Sequence, residues 1–420
     1  MVYRGKSLLL IKMIIICICI LMIIANLYLR KSNGTIRKIT NAKDGYAQVS
    51  VIVLKDNKAK DIRDLEGQRL GYSETGQTEY TYRSLSELQD ELNENITVIK
   101  YKSMETFSDE LFNGQVDALL LDEGSRAIME DGHPEFSMKT KVIETFRYKI
   151  NEKDISKNVT VTNQAFNIYI TGIDTYGEIN TTGRSDVNIL ASINPKTKQV
   201  LLISIPRDYY IKQTCQNNQK DKLTHTGFFG VSCTIDSAEN FFGVDINYYA
   251  RVNFSSLEKI VNALGRIEVD NPRAFTAVNG FHYEKGTISL NGVQALGFAR
   301  ERYAFIDGDF ERGRDQMRVL TAIIHKITSP AILTNYASVL DAIGDTFQTN
   351  LSEDEIKSFI NMQLNDMKSW NVKQVSVGGT SGTDWTPANG FNASVVYPDM
   401  DSVKETMNLV KEVHNGEIMK

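Results

Sequence analysis

Residues 186–208 read DVNILASINPKTKQVLLISIPRD. Two runs rich in isoleucine, leucine and valine flank a turn-like Pro-Lys-Thr-Lys at 195–198, the pattern of a β-hairpin. Pairing the chain symmetrically about that turn sets Asp186 opposite Arg207. An earlier run, FNIYITGID at 166–174, reads as a strand that ends on Asp174. If it points the same way as the second hairpin strand, Asp174 reaches the same sheet edge. Two carboxylates and an arginine then converge there. Aspartates without histidine suit a hard cation such as Mg²⁺, which binds through one or two carboxylates and leaves room for substrate phosphates. Ordinary turn and strand-start chemistry accounts for the same aspartates with no metal.

A second stretch, RERYAFIDGDFERGRDQ at 300–316, is rich in arginine and carboxylate and has no lysine. Planar guanidinium forks match phosphate better than a lysine point charge does. A helix is predicted from near Phe310, because Met317, Leu320, Ile324 and Ile327 recur at helical spacing. Arg312 and Gln316, four apart, share a face of its first two turns. Helix N-termini present free N–H groups and a positive dipole end to anions. The segment ALGFARERY reads as a strand, which puts Arg300 and Arg302 on one side of it. Together these describe a pyrophosphate-sized anion site. The competing reading pairs every arginine with Glu301, Asp307, Asp309, Glu311 or Asp315, as on many solvated surfaces.

Composition narrows the classes. A net charge of −5 and a pI near 5.7 supply no global basic field, so no nucleic acid partner is expected. Only five histidines occur, none paired at zinc-ligand spacing, which argues against a zinc hydrolase. No GxxxxGK[ST] loop, GxSxG elbow or zincin motif is present. His225, in KDKLTHTGFFG, reads as a structural histidine.

The N-terminus carries SLLLIKMIIICICILMIIANLYLRK from Ser7, long enough to span a bilayer and without a small-residue cleavage site. Residues 1–31 are therefore read as an uncleaved transmembrane signal anchor and 32–46 as a linker. Basic residues stand on both sides of the span, so flanking charge does not decide its orientation. Residues 47–150 alternate short apolar strands with helices, a small α/β domain with no catalytic constellation. Its phrases DLEGQRLGY and LFNGQVDALLLDE resemble a lobe of a periplasmic solute-binding protein. A polar linker, 151–164, separates it from a second domain, 165–420, in which 377–390 reads as a loop and 399–414 as a terminal helix. Cys215 and Cys233 fit one disulfide in an oxidising compartment, or else two buried thiols. The helix at 253–265 turns Phe254, Leu257, Ile260, Val261 and Leu264 to one face, which is normally core.

The series NIYITGIDTYG, RSDVNILASINPKTKQVLLISIPRDYYI, KLTHTGFFG, YYARVNFSSLEKIVNALGRIEVDNP and LNGVQALGFARERY…GDFERGRDQMRVL resembles the LytR–CpsA–Psr family, collinearly over about 165–330. The anchor and first domain look like the capsule-associated CpsA-type members of streptococci, which often carry several membrane spans where this chain shows one. The resemblance implies an α/β fold, a mixed central sheet flanked by helices. It implies a transferase anchored outside the cytoplasmic membrane of a Gram-positive bacterium. Its substrates would be a polyprenyl-pyrophosphate-linked polysaccharide, expected to be capsular, and peptidoglycan, joined by a phosphodiester. Other capsule-assembly proteins are further expected partners. The family's metal carboxylates fall on Asp174 and Asp186, for Mg²⁺ or Mn²⁺. Its pyrophosphate residues fall on Arg207, Arg300, Arg302, Arg312 and Gln316, with Arg184 in the same motif. Asp309 and Asp174 are both candidates for the base, and the prenyl tail would use the apolar face near Phe254–Leu264. A non-catalytic envelope receptor and a polyprenyl-pyrophosphate pyrophosphatase remain as alternatives.

Overall fold

The computed structural model describes residues 34, 40 and 45–419, apart from 77, 151–152, 174–178, 331, 333–337, 340, 343 and 345–346. The expected membrane span and Asp174 lie outside the described residues. Among the described residues no helix is long and apolar enough to cross a membrane.

Two mixed sheets organise the chain. Strands β1 (Gly45–Leu54), β2 (Arg69–Ser73), β3 (Thr97–Tyr101), β4 (Ala118–Asp122) and β5 (Thr140–Ile150) form the first, in the order β3-β2-β4-β1-β5. β2 runs parallel to β3 and β4, whereas β1 lies antiparallel to β4 and β5. Val49, Val51 and Val53 face the helix Thr78–Glu91 through Leu85 and Leu88. Ile52, Leu119 and Leu121 face the opposite side, against Phe107, Met129 and Phe136. Both faces are covered, so the strands read as nearly continuous apolar runs.

The second sheet is built around β6 (Phe166–Ile173), β7 (Ser185–Asn194) and β8 (Gln199–Ser204). Its order is Phe347–Thr349, Tyr248–Asn253, β6, β7, β8, Asn371–Ser376. β6 and β8 are each antiparallel to β7 and so point the same way. The hairpin closes because Asn194 Oδ1 accepts the N–H groups of Lys196 and Thr197 at 3.1 and 3.3 Å, and Lys198 takes a left-handed φ of 53°. Alternation then sorts the side chains. Leu190, Leu201 and Ile203 pack against the helices Val231–Phe242 and Met400–Asn415. Ile189, Ala191, Val200 and Leu202 pack on the other face with Met317, from the helix Asp309–Thr328. Full burial of such side chains contributes about 1.5–3 kcal/mol each. The result is a mixed sheet between helical layers.

Two segments differ from the sequence reading. ALGFARERY is not a strand: Gly292–Arg300 is a helix, started by a capping box in which Asn291 and Gln294 satisfy each other's backbone N–H groups. Its Ala295, Phe298 and Ala299 enter a third apolar cluster, with Val261, Leu264 and Val319. Residues 377–390 are not wholly loop either. Gly379–Thr386 pairs antiparallel with Phe391–Pro398, its threonines and Trp385 supplying strand propensity.

A candidate pyrophosphate site at one sheet edge

Position in the hairpin fixes the first pair. The β7–β8 ladder runs from Asn194–Gln199 to Ile189–Ser204, and three residues further along each strand stand Asp186 and Arg207. Arg207 Nη1 lies 3.1 Å from Asp186 Oδ2. The other carboxylate oxygen accepts the Thr224 hydroxyl at 2.8 Å, while the Thr224 N–H donates to the Arg207 carbonyl at 2.8 Å. Arg184 Nη2 stands 3.8 Å from Asp186 Oδ2.

The helix Asp309–Thr328 completes the cluster from above the sheet. It comes close because residue 313 is glycine: a Cβ there would sit 2.3 Å from Ser204 Oγ at the end of β8. Asp309, in its first turn, accepts Arg207 Nε at 3.1 Å and stands 3.2 Å from Arg312 Nη2 and 3.7 Å from Arg302 Nη1. Asp186, Arg207, Asp309, Arg312 and Gln316 line one cavity, together with Ser204 and Gly313.

Charges crowd this edge. Arg184, Arg207, Arg302 and Arg312 surround Asp186 and Asp309, with Asp208 3.9 Å from Arg207 Nε and Asp131 on Arg184. Burial works to raise Asp186, but Arg207, Arg184 and Arg312 hold it well below the usual carboxylate range. Asp309 is lowered in the same way, burial being outweighed by Arg312, Arg207 and Arg302. Arg312 is the least compensated of these arginines. Burial first, and then the neighbouring Arg207, depress it below the ordinary arginine value despite two aspartates nearby. Crowded, desolvated guanidinium groups of this kind are stabilised by an added anion.

The charges of 300–316 divide by helix face. Asp309, Arg312 and Gln316 face the cavity. Glu311 turns away, almost fully buried, and is paired with Arg273, Arg314 and Arg318, and Asp315 with Arg318. Glu311 is held down to about 2, burial being outweighed by these arginines. The Arg300 guanidinium lies 4.0 Å from the centre of the Phe254 ring. Arg300 ends the helix Gly292–Arg300 and Arg302 follows in the turn after it, so strand alternation does not relate the two. Gln316 Nε2 donates to the Ala299 carbonyl at 3.4 Å, linking the two helices.

Several supporting residues gave no usable signal in the sequence. Thr224 is unremarkable in KLTHTGFFG, yet it fixes Asp186. Glu301 is buried, and its Oε1 accepts the N–H groups of Arg302, Tyr303 and Ala304 at 3.0, 2.7 and 2.9 Å, which shapes the turn carrying Arg302. His225 is structural, with Nδ1 2.7 Å from Asp221 Oδ1 and its ring stacked on Phe228. Cys215 and Cys233 form a disulfide, with Cα atoms 5.5 Å apart. Val261 and Leu264 are core, while Phe254, Leu257 and Ile260 stay half-buried.

Of the two carboxylates expected to hold a divalent cation, the described part of this edge contains Asp186, whose oxygens face Thr224 and Arg207. Asp186 is a hard oxygen ligand kept ionised, beside guanidiniums suited to phosphate. No group of three or more His, Cys, Asp or Glu able to hold a metal occurs among the described residues.

The chain is similar to several known proteins. The LytR_cpsA_psr family model matches residues 135–412, and a model described as NMT1/THI5 like matches residues 15–167. The polyisoprenyl-teichoic acid–peptidoglycan teichoic acid transferase TagU of Enterococcus faecalis is 38% identical over 214 residues, 50% of this chain and 70% of that protein. Among solved structures, a Streptococcus agalactiae protein aligns with TM-score 0.51 at 26% identity, over 60% of this chain and 88% of that one. TagT bound to LIIa-WTA aligns with TM-score 0.50 at 25% identity, over 62% of this chain and 94% of that one.

Proposed function

The chain belongs to the LytR–CpsA–Psr family, and on that premise we propose that it transfers a glycopolymer from a polyprenyl-pyrophosphate carrier to peptidoglycan, leaving a phosphodiester link. The observation that carries this reading is the partly buried edge at which Arg184, Arg207, Arg302 and Arg312 enclose Asp186 and Asp309.

Phosphoryl transfer asks a protein chiefly for positioning and charge stabilisation. Arg207, Arg302 and Arg312 would release Asp309 to bind diphosphate oxygens, with Gln316 as a neutral donor beside them and Arg184 on the Asp186 side. A peptidoglycan sugar hydroxyl attacks the phosphorus that bears the polymer. A new P–O bond forms, the bond to the bridging oxygen breaks, and polyprenyl phosphate leaves. The hydroxyl proton passes to a carboxylate, Asp309 or Asp174. Asp309 becomes more basic once its arginines turn to the substrate. Charge that grows on the leaving phosphate is met by the same arginines. Asp186 and Asp174 would hold Mg²⁺ or Mn²⁺, which when bound supplies Lewis-acid polarisation of the diphosphate. The prenyl chain would lie along the half-buried Leu257 and Ile260, with Arg300, stacked on Phe254, toward its diphosphate end.

The finer readings are part of the proposal. The cargo is a capsular polysaccharide, although the relatives are named for teichoic acid; donors of both kinds, assayed side by side, separate the two. The chain is anchored in the cytoplasmic membrane with its C-terminal part outside, a placement that the Cys215–Cys233 disulfide supports. The function is tested by assaying transfer from lipid-linked polymer to peptidoglycan with wild type and Arg302→Ala. Equal attachment by both would remove its support.

A further inference from the structure

The N-terminal sheet is joined to the second part immediately beside Arg184. The Tyr46 N–H, at the start of β1, donates to the Asn180 carbonyl at 2.8 Å, and the Thr182 N–H donates to the Tyr46 carbonyl at 3.0 Å. Two residues later comes Arg184. From the other side, Phe228 inserts fully buried into the N-terminal core with Ile52, Leu121 and Met129. Its neighbour Gly227 lies so close to the Arg184 segment that a Cβ would meet the Gly183 carbonyl at 2.3 Å. The backbone before Arg184 is thus gripped by the N-terminal unit.

The side chain is held by the same unit. Arg184 Nη1 donates to Asp131 Oδ2 at 2.6 Å, and Asp131 belongs to the helix Arg126–Gly132, which follows β4. The Arg184 side chain is 10% exposed, whereas the Asp131 carboxylate is 58% exposed. This is a nearly buried guanidinium fastened at one nitrogen by an outside carboxylate. Nη2 is 3.8 Å from Asp186, and Nε is buried with no hydrogen-bond partner. A donor left in that condition is costly unless an acceptor arrives.

We propose that Asp131 is a positioning residue for the transfer site, through which the N-terminal unit sets the orientation of Arg184 toward the diphosphate. Asp131 holds Nη1, so the guanidinium plane is fixed before substrate binds, and Nε and Nη2 remain for phosphate oxygens. The N-terminal unit is then part of the working site rather than a spacer. This rests on the transferase reading above, because it requires that Arg184 meet the donor.

The test uses the full chain in lipid nanodiscs with a polyprenyl-pyrophosphate-linked polymer as donor and peptidoglycan as acceptor. Asp131→Asn is expected to lower kcat/KM roughly ten- to a hundredfold, the range for removing an outer partner that orients a working side chain. The loss should fall on the donor KM, with the melting temperature unchanged. Asp131→Glu should restore most of it. Asp131→Asn combined with Arg184→Gln should be no worse than Arg184→Gln alone, a non-additivity that a merely structural role would not produce. If Asp131→Asn transfers at the wild-type rate while Arg184→Gln is impaired, or if the two losses add, Asp131 has no such role and the site reading stands. If Arg184→Gln is also unimpaired, Arg184 does not meet the donor and the proposal fails with that assignment. If Asp131→Asn fails to fold, Asp131→Glu decides: it should act near the wild-type rate, and a loss as deep as that of Arg184→Gln overturns the proposal.

Discussion

Arg207 Nη1 stands 3.1 Å from Asp186 Oδ2, across the open end of a hairpin whose turn lies at 195–198. Both side chains are nearly buried, so each depends on the other. Removing one partner of a buried pair typically costs about 3–5 kcal/mol. Arg207→Gln should therefore lower thermal stability as well as transfer, the latter by roughly a hundredfold or more, as for loss of one preorganised charge-stabilising donor. Adding Asp186→Asn to it should recover part of the stability and none of the activity. Calorimetry and the transfer assay, run on the single and double variants, separate the two effects.

Gly313 tests whether close approach of the helix to β8 matters. A methyl at this position would meet Ser204 Oγ. Gly313→Ala should cost about 1–3 kcal/mol, the usual range for overpacking. It should also slow transfer, because Arg312 and Gln316 are on the same face. Combining it with Ser204→Gly should restore a good part of both. Chemical denaturation and initial rates are the measurements.

Acid–base behaviour away from the cavity gives a separate check. Burial pushes Asp315 up to about 7 against the pull of Arg318, and its Oδ2 is buried without a hydrogen-bond partner. The folded state therefore binds a proton that the unfolded chain has released above about pH 3.9. This contribution to stability is complete below the unfolded value and is lost as pH rises through 7. Its size is on the order of a few kcal/mol. Denaturant midpoints should fall between pH 5 and 8 in wild type, and Asp315→Asn should flatten that slope.

The Cys215–Cys233 disulfide closes a loop of eighteen residues and ties the hairpin after Arg207 to the helix Val231–Phe242. Loop-closure entropy puts its contribution at about 3 kcal/mol. Reduction, or the Cys215→Ser, Cys233→Ser double variant, should lower the melting temperature by several degrees. A melt unchanged by reductant would show that the bond does not stabilise the fold.

The pairing of Asp186 with Arg207 was legible because a hairpin fixes register: once 195–198 is read as a turn, every opposite pair follows. The face shared by Arg312 and Gln316 was legible from helical spacing alone. The element leading to Arg300 was misread because ALGFARERY looks like a strand, while the start signal that makes it a helix, Asn291 with Gln294, lies upstream; Arg302 nevertheless reaches Asp309. The contacts of Thr224 and Asp131 could not be read locally. Thr224 reaches across 38 positions to Asp186, and Asp131 across 53 to Arg184. Such contacts depend on how separate elements pack, which a periodicity does not encode.

Transfer at this arginine-lined edge is distinguished from mere binding or hydrolysis of the carrier by its products. The most direct measurement follows both products at once, polymer attached to peptidoglycan and polyprenyl phosphate released, for wild type and Arg302→Ala in the presence of Mg²⁺. The expected result is equal amounts of the two products from wild type, with both falling together by at least tenfold in the variant. Polyprenyl phosphate released without attachment would mark a pyrophosphatase. Donor bound with neither product formed would mark a receptor, and either outcome would contradict the account.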